Sequence, residues 1–119
     1  MEFKANVPIY VQVINDIKKQ IVCGRIELGE KLPSTRELAV RYQVNPNTAV
    51  RIYNEMELEG ICFTKRGLGT FVTEDKAMYE SMKKEMAQVR IEEYVLEMKE
   101  LGYTKENMIR AVEDYFERG

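Results

Sequence analysis

The feature that most constrains the fold is a pair of helix starts only a few residues apart. Ser34, with Glu37 three residues later, forms the pattern of a capping box, in which each side chain accepts from a backbone N–H of the other. Asn45 followed by Pro46 is a second start, because Asn is a favoured N-cap and Pro a favoured first helical residue. With a turn near residues 43–44, these signals predict two short helices in a helix-turn-helix.

The flanking segments complete a small mixed fold. Before the pair, Pro8 as a first helical residue opens a helix whose apolar residues recur every fourth position and which ends at Gly24. After it, Gly60 ends the third helix, and two β-prone runs at 61–64 and 70–73 follow, joined by a basic link with two glycines. A helix, a helix-turn-helix and a basic hairpin together predict a winged helix.

The last third of the chain is predicted to be helical. A nearly unbroken helical pattern runs from Asp75 to Leu101. Gly102 ends this helix, and Thr104 caps a last helix. Because the long helix has two apolar faces, it needs two partners. We expect the last helix to cover one face and a second subunit the other; in the alternative, one face packs on the winged helix. The expected dimerisation residues, which include an inward-facing set on the last helix, are Met78, Met82, Met86, Val89, Ile91, Tyr94, Val95, Met98, Leu101, Met108, Val112, Tyr115 and Phe116.

The composition excludes several classes of function. The 119 residues include no histidine, which removes Ser-His and Cys-His nucleophile pairs, histidine bases and most transition-metal sites. Cys23 and Cys62 lack zinc spacing, and we expect both to be small buried apolar residues. Carboxylates at 55–59 and 92–93 are typical of solvated helix faces. The sequence therefore predicts no enzyme activity, no metal and no cofactor.

Charge and hydropathy give weaker indications. No apolar run approaches the ~20 residues that span a bilayer, and the N-terminus lacks the layout of a signal peptide, so we expect a cytosolic protein without membrane contact. The net charge of −2 divides into 10 Lys and Arg against 8 Asp and Glu over residues 1–73, and 8 against 12 over residues 74–119. This asymmetry indicates two segments with different surroundings.

The third helix has the side chains that a DNA-reading helix needs. Asn47 and Arg51 lie four residues apart, so both project from one face, opposite the apolar residues. Asn pairs bidentately with adenine and Arg with guanine in the major groove. Helix N-termini bind phosphate, and a basic hairpin with glycines at 67 and 69 allows close approach to the minor groove. Taken singly, each of these residues is more often a solvated or capping residue.

The elements occur in the order of a known family. Segments 8–12, 29–39, 44–49 and 67–72 resemble those of the GntR-type winged-helix domain, over roughly residues 7–73. The short two-helix tail resembles the YtrA-type subgroup. The resemblance implies a bacterial transcription regulator, usually a repressor, that binds operator DNA as a dimer. Members of the subgroup often control transporter operons.

The resemblance also implies DNA contacts in the first turns of the second and third helices and in the wing. Pro46 and Val50 depart from the family pattern, in which many members have Arg at the first position and a basic or polar residue at the second. These departures leave the target DNA sequence open, and we expect Arg51 to make a larger share of the base contacts. The predicted DNA-contacting residues are Ser34, Thr35, Arg36, Asn45, Asn47, Thr48, Arg51, Lys65, Arg66, Gly67, Gly69 and Thr70.

The predicted fold class is mainly α with a small β-hairpin. A winged helix-turn-helix DNA-binding domain is expected over residues 1–73 and a helical dimerisation segment over residues 74–119. The expected partners are double-stranded operator DNA and a second copy of the chain. Because winged helices also serve as protein-binding modules, a protein-interaction module without DNA binding is the alternative. The short tail leaves little room for an enclosed pocket, so an effector stays an open question.

Overall fold

A computed structural model describes all 119 residues as five helices and one two-stranded antiparallel hairpin. The elements are α1 (Ile9–Val22), α2 (Thr35–Tyr42), α3 (Pro46–Leu58), β1 (Cys62–Lys65), β2 (Gly69–Val72), α4 (Lys76–Glu100) and α5 (Lys105–Arg118). The predicted fold class is confirmed. None of these helices combines the length and the apolar composition that crossing a bilayer requires.

The chain forms two compact units, Met1–Met82 and Lys83–Gly119. This boundary falls inside α4, nine residues beyond the expected division after residue 73. The first turns of α4 belong to the first unit because they pack on it. Met82 is buried, and the Tyr79 hydroxyl donates to the Val22 carbonyl at 3.0 Å. A Cβ placed on Gly60 would lie 3.2 Å from the end of the Met78 side chain.

The predicted helix starts are present in the first unit, with one difference at α1. The capping box of Ser34 and Glu37 and the Asn45 cap are both formed. Pro8 is the N-cap of α1 and not its first residue, because its ψ of 137° is extended and the helix begins at Ile9. Between α2 and α3, Gln43 has a φ of 55°, a left-handed conformation that ends α2 and makes the turn.

The core of the first unit lies among its three short helices and the hairpin. The Tyr42 hydroxyl donates to the Asp16 carboxylate at 2.7 Å, which fixes the end of α2 to α1, and burial raises the pKa of Tyr42 to about 12. Lys18 and Glu59 form an ion pair at 3.3 Å between α1 and the end of α3. The buried side chains include Val13, Ile14, Ile17, Ile21, Leu38, Ala39, Ala49, Ile52, Tyr53, Met56, Ile61 and Val72.

The two cysteines have different environments. Cys62 is buried as expected, and desolvation raises the pKa of its thiol to about 12, so the thiol stays protonated. The expectation for Cys23 is wrong, since this residue is exposed at the C-terminal end of α1. The buried stripe of α1 ends at Ile21, and Cys23 lies outside it.

Residues 30–32, in the segment between α1 and α2, pair with the hairpin. The Leu32 N–H donates to the Thr70 carbonyl at 2.8 Å, and the Val72 N–H donates to the Glu30 carbonyl at 2.9 Å. Lys31 and Phe71 form an isolated antiparallel bridge between these bonds. The wing therefore has three short strand-like segments, with the first of them directly before α2.

The second unit consists of most of α4 and all of α5. The Tyr94 hydroxyl donates to the Met108 carbonyl at 2.9 Å, so the Tyr94 face of α4 lies against α5. Met108 is inward as predicted, but Val112, Tyr115 and Phe116 are 43%, 67% and 75% exposed, so their inward placement is wrong within one chain. A pair of helices can bury only the stripe between them, which leaves the other apolar residues in water.

Candidate nucleic-acid interface

The exposed face of α3 carries the predicted base-reading residues. Asn47 and Arg51 are both exposed, whereas Ala49 and Ile52 face the core. Thr48 is half-buried beside them. Because α3 begins at Pro46, these polar residues occupy its first two turns, the part of a recognition helix that contacts base edges. The arrangement leaves the polar groups of Asn47 and Arg51 accessible to a ligand.

Two neighbouring helix N-termini are capped in a way that keeps donors available. Ser34 Oγ accepts from the Glu37 N–H at 3.1 Å, and Asn45 Oδ1 accepts from the Asn47 N–H at 2.8 Å. Capping therefore engages the acceptor oxygens, while the Ser34 hydroxyl proton and the Asn45 amide protons are not used. Donors at exposed helix N-termini suit phosphate oxygens or base acceptors.

The first turn of α2 also carries a fixed negative charge. Glu37 Oε1 accepts from the Ser34 N–H at 3.0 Å, which completes the capping box. The backbone hydrogen bond from Ser34, followed by the side-chain hydrogen bond with Ser34, holds the pKa of the Glu37 carboxyl below its usual value of 4.5. Thr35 and Arg36 are exposed in the same turn, and the cations of Arg41 and Lys31 also lower the pKa of this carboxyl.

The hairpin is a basic wing with a tight tip. The Leu68 N–H donates to the Lys65 carbonyl at 2.9 Å, and Arg66 is exposed at the tip. Gly67 and Gly69 have φ values of 78° and 122°, which side-chain-bearing residues rarely adopt. Glycine at these positions therefore allows the tight tip and leaves the backbone open to a close approach.

One face of the wing is an aromatic platform. Phe63 and Phe71, which are register partners, stack with ring centres 5.9 Å apart. Lys65 Nζ lies 4.9 Å from the centre of Phe71 and 5.6 Å from that of Phe63. This cation–π contact holds the Lys65 ammonium back along the hairpin, and Thr70 is half-buried in the next strand. Arg66 is the cation that extends freely from the tip.

Lys31 is a cation of the wing that the sequence analysis missed. A Cβ placed on Gly69 would lie 2.9 Å from Lys31 Cε and 3.7 Å from its Nζ, so the lysine side chain crosses this glycine. Gly69 is the register partner of Lys65, so the two lysines flank the same part of the hairpin. No pattern in the sequence marks this pairing, because the segment around Lys31 that bonds to β2 is too short to show the alternation of a strand.

A second missed residue is Tyr10 of α1. Its half-buried ring lies beneath the Arg51 guanidinium, with Arg51 Cζ 3.9 Å from the ring centre. The structure thus brings the predicted DNA-contacting residues onto the first turns of α2 and α3 and the wing, with Lys31 and Tyr10 as additions.

Comparison with known proteins identifies the family. The model of the family described as bacterial regulatory proteins, gntR family, matches residues 9–72. The HTH-type transcriptional regulator YhcF of Bacillus subtilis is 41% identical over 118 residues, which cover 99% of this chain and 98% of YhcF. The HTH-type transcriptional repressor YtrA of Bacillus subtilis is 44% identical over 72 residues, which cover 60% of this chain and 55% of YtrA.

Solved structures agree with this assignment. A GntR family transcriptional regulator from Listeria monocytogenes superposes with a TM-score of 0.85 at 41% identity, covering 94% of this chain and 98% of that one. The DNA-binding domain of AraR, in complex with operator ORX1, has a TM-score of 0.56 at 27% identity and covers 60% of this chain and 93% of that one. The resemblance drawn from the sequence is confirmed, and the chain belongs to the GntR family of bacterial regulatory proteins.

Proposed function

We propose that this protein is a sequence-specific, operator-binding repressor that acts in the cytosol as a homodimer. The observation that carries the proposal is the outward polar face of α3, which accompanies exposed helix N-termini at Ser34 and Asn45 and a basic wing. Support for DNA as the partner comes from AraR, a similar winged helix bound to its operator. Support for repression comes from YtrA, a relative that is named as a repressor.

In the proposed complex the three parts of the interface have different tasks. Asn47, Thr48 and Arg51 read base edges in the major groove. Ser34, Thr35, Arg36 and Asn45 contact phosphates and adjacent base edges from the two helix starts. The wing residues that approach the minor groove are Lys65, Arg66, Gly67, Gly69 and Thr70, and Lys31 joins them from the neighbouring strand-like segment.

The second unit supplies the argument for a homodimer. Within residues 83–119 only Met108 is buried, so this helix pair has almost no core of its own. Apolar side chains left in water on this scale mark an interaction surface. Nine large ones are exposed: Val89, Ile91, Leu96, Leu101, Tyr103, Ile109, Val112, Tyr115 and Phe116. A second copy of the same unit is the partner that can cover them in pairs.

The proposed dimer surface keeps most of the predicted residues. Met86, Val89, Ile91, Val95 and Met98 of α4, Leu101 directly after it, and Val112, Tyr115 and Phe116 of α5 are exposed or half-buried and contribute to it. Tyr94 and Met108 support it from within the helix pair. Met78 and Met82 pack in the first unit, as in the alternative where part of the long helix packs on the winged helix. The pairing of two recognition helices gives an inverted-repeat site.

Operator binding is tested with the full chain and DNA upstream of its gene, including any transporter operon there. We expect a retarded complex on an inverted repeat and none on scrambled DNA. With six to ten phosphates neutralised, affinity falls by roughly 10³–10⁵ between 50 and 200 mM salt. The alternative, a protein-interaction module, would be favoured if the affinity for DNA did not change with salt concentration. It would also be favoured if the protein bound no DNA and co-purified with another protein.

A further inference from the structure

The starting observation is the stacking of Arg51 on Tyr10. The guanidinium carbon of Arg51 lies 3.9 Å from the centre of the Tyr10 ring, a close cation–π distance. No hydrogen bond or ion pair accompanies this contact, so the stack is what holds the exposed Arg51 side chain. A long side chain without such a contact samples many rotamers and loses that freedom when it binds.

The stack leaves the recognition chemistry of Arg51 available. An arginine this close to the centre of an aromatic ring typically stacks through the flat face of its guanidinium, which leaves the N–H donors in the plane of the group pointing outward. Bidentate pairing with guanine uses only those in-plane donors. Arg51 can therefore stack on Tyr10 and pair with a base at the same time, and the stack can orient Arg51 before it pairs.

The helix start that carries Tyr10 is itself held in place. The Gln12 side chain accepts from the Lys4 N–H at 2.8 Å and donates to the Lys4 and Val7 carbonyls at 2.9 and 2.8 Å. These bonds fold the segment before α1 against its first turn. The Tyr10 ring is thus a half-buried platform on an ordered helix start and not a freely moving surface group.

We propose that Tyr10 is a positioning residue for base recognition, which holds Arg51 in its DNA-reading orientation before DNA arrives. This inference rests on the proposed function. Arg51 already loses its rotamer entropy when it stacks on Tyr10, so this entropy loss no longer opposes DNA binding. Ordering one such side chain corresponds to about a 2- to 10-fold change in affinity per protomer.

A double-mutant cycle tests the inference on an operator selected with the wild-type protein. Tyr10→Ala is expected to lower affinity about 2- to 10-fold per protomer and to weaken preference at the base position that Arg51→Ala also relaxes. In the Arg51→Ala background, Tyr10→Ala should have no further effect. Tyr10→Phe retains the ring and should bind like wild type, whereas Tyr10→Leu retains apolar bulk without a ring and should behave like Tyr10→Ala.

Two controls separate positioning from folding. Ile9→Ala changes the neighbouring exposed residue of α1 and should leave affinity unchanged. Tyr10→Ala combined with Arg66→Ala should give additive losses, since Arg66 lies in the wing. Thermal unfolding of every variant identifies any that fails to fold, and Tyr10→Leu then carries the test.

The outcomes are distinguishable. Independent losses from Tyr10→Ala and Arg51→Ala would overturn the inference, as would a Tyr10→Phe variant as weak as Tyr10→Ala, which would indicate a hydroxyl contact instead. An Arg51→Ala variant that binds like wild type would also overturn it while leaving operator binding intact. Failure of the wild-type protein to bind DNA would contradict the proposed function itself.

Discussion

At the scale of single residues, the capping side chains divide folding and recognition between different atoms. The oxygens of Ser34 and Asn45 accept backbone N–H groups at the starts of α2 and α3. Both residues are exposed, and their donor hydrogens stay available. Helix starts of this kind are therefore suited to contact DNA without giving up the bonds that stabilise them.

The substitution Asn45→Asp separates these two roles. Asp caps helices as well as Asn does, so the melting temperature should be nearly unchanged. The lost amide donors and the added negative charge should lower operator affinity, as measured by fluorescence anisotropy. Asn15→Asp makes the same change on an exposed residue of α1 and is the matched control. Equal affinity of the two variants would show that Asn45 lies away from DNA.

Glu37 gives a prediction about pH. Its pKa lies below the usual 4.5 in the folded protein, so the unfolded chain takes up the proton first as pH falls. The stabilising effect is therefore fully present above pH 4.5 and is lost as pH falls through the folded pKa. Glu37→Gln keeps the capping geometry without a titrating charge. Melting temperatures between pH 7 and about pH 3 should show wild type losing stability relative to this variant.

The matched control for Glu37 is Glu2→Gln, which lies outside every helix. Its melting temperature should follow that of the wild type at every pH. A constant difference between wild type and Glu37→Gln across the range would show that the Ser34 hydrogen bonds do not favour the ionised carboxylate.

At the scale of elements, the wing depends on a pairing partner from outside the hairpin. The segment around Lys31 bonds to β2 and brings the lysine across Gly69, beside Lys65. The β1–β2 hairpin by itself would be marginal, because two strands alone bury little apolar surface. The third segment adds backbone hydrogen bonds and a cation in the same place.

Removing this cation tests its place at the interface. Lys31→Ala should lower operator affinity for every sequence about equally and reduce the salt dependence by about one phosphate contact per protomer. Lys19→Ala removes an exposed lysine from α1 and should alter neither quantity. Binding titrations at several salt concentrations measure both. A Lys31→Ala variant with the salt dependence of wild type would place Lys31 away from the phosphates.

At the scale of the whole molecule, the second unit is incomplete without a partner. Its helices bury Met108 and leave Tyr115 and Phe116 67% and 75% exposed. Most helical stability in proteins comes from packing of an apolar face, and here much of that face has nothing to pack on within one chain. The stability of this unit should therefore depend on protein concentration.

Phe116→Glu tests the dimer. A charge on this surface should shift the protein towards monomer in sedimentation velocity and weaken binding to an inverted repeat more than binding to one half-site. Leu58→Glu places the same charge on a residue that is 82% exposed in the first unit, and it should leave the dimer intact. If the Phe116→Glu variant sediments with the same mass as the wild-type dimer at micromolar concentration, this surface is not the dimer interface.

Features encoded within a few residues were predictable from the sequence. The helix starts at Ser34, Asn45 and Thr104 follow from side chains that bond to their own neighbouring backbone. The turn of the hairpin follows from its glycines, which adopt positive φ. The polar face of α3 follows from helical periodicity, and the family resemblance covers the same segments. These properties need no knowledge of which distant elements meet.

Only the tertiary structure decided which distant segments meet. The Arg51 stack on Tyr10, the Lys31 crossing of Gly69 and the burial of Met82 in the first unit each join residues far apart in sequence. Periodicity shows that a helix face is apolar but not what covers it, which is why Tyr115 and Phe116 were placed inward and are exposed. The helices and strands are set by interactions between residues that are adjacent in sequence. The candidate DNA interface and the uncovered apolar surface of the second unit depend instead on packing between elements.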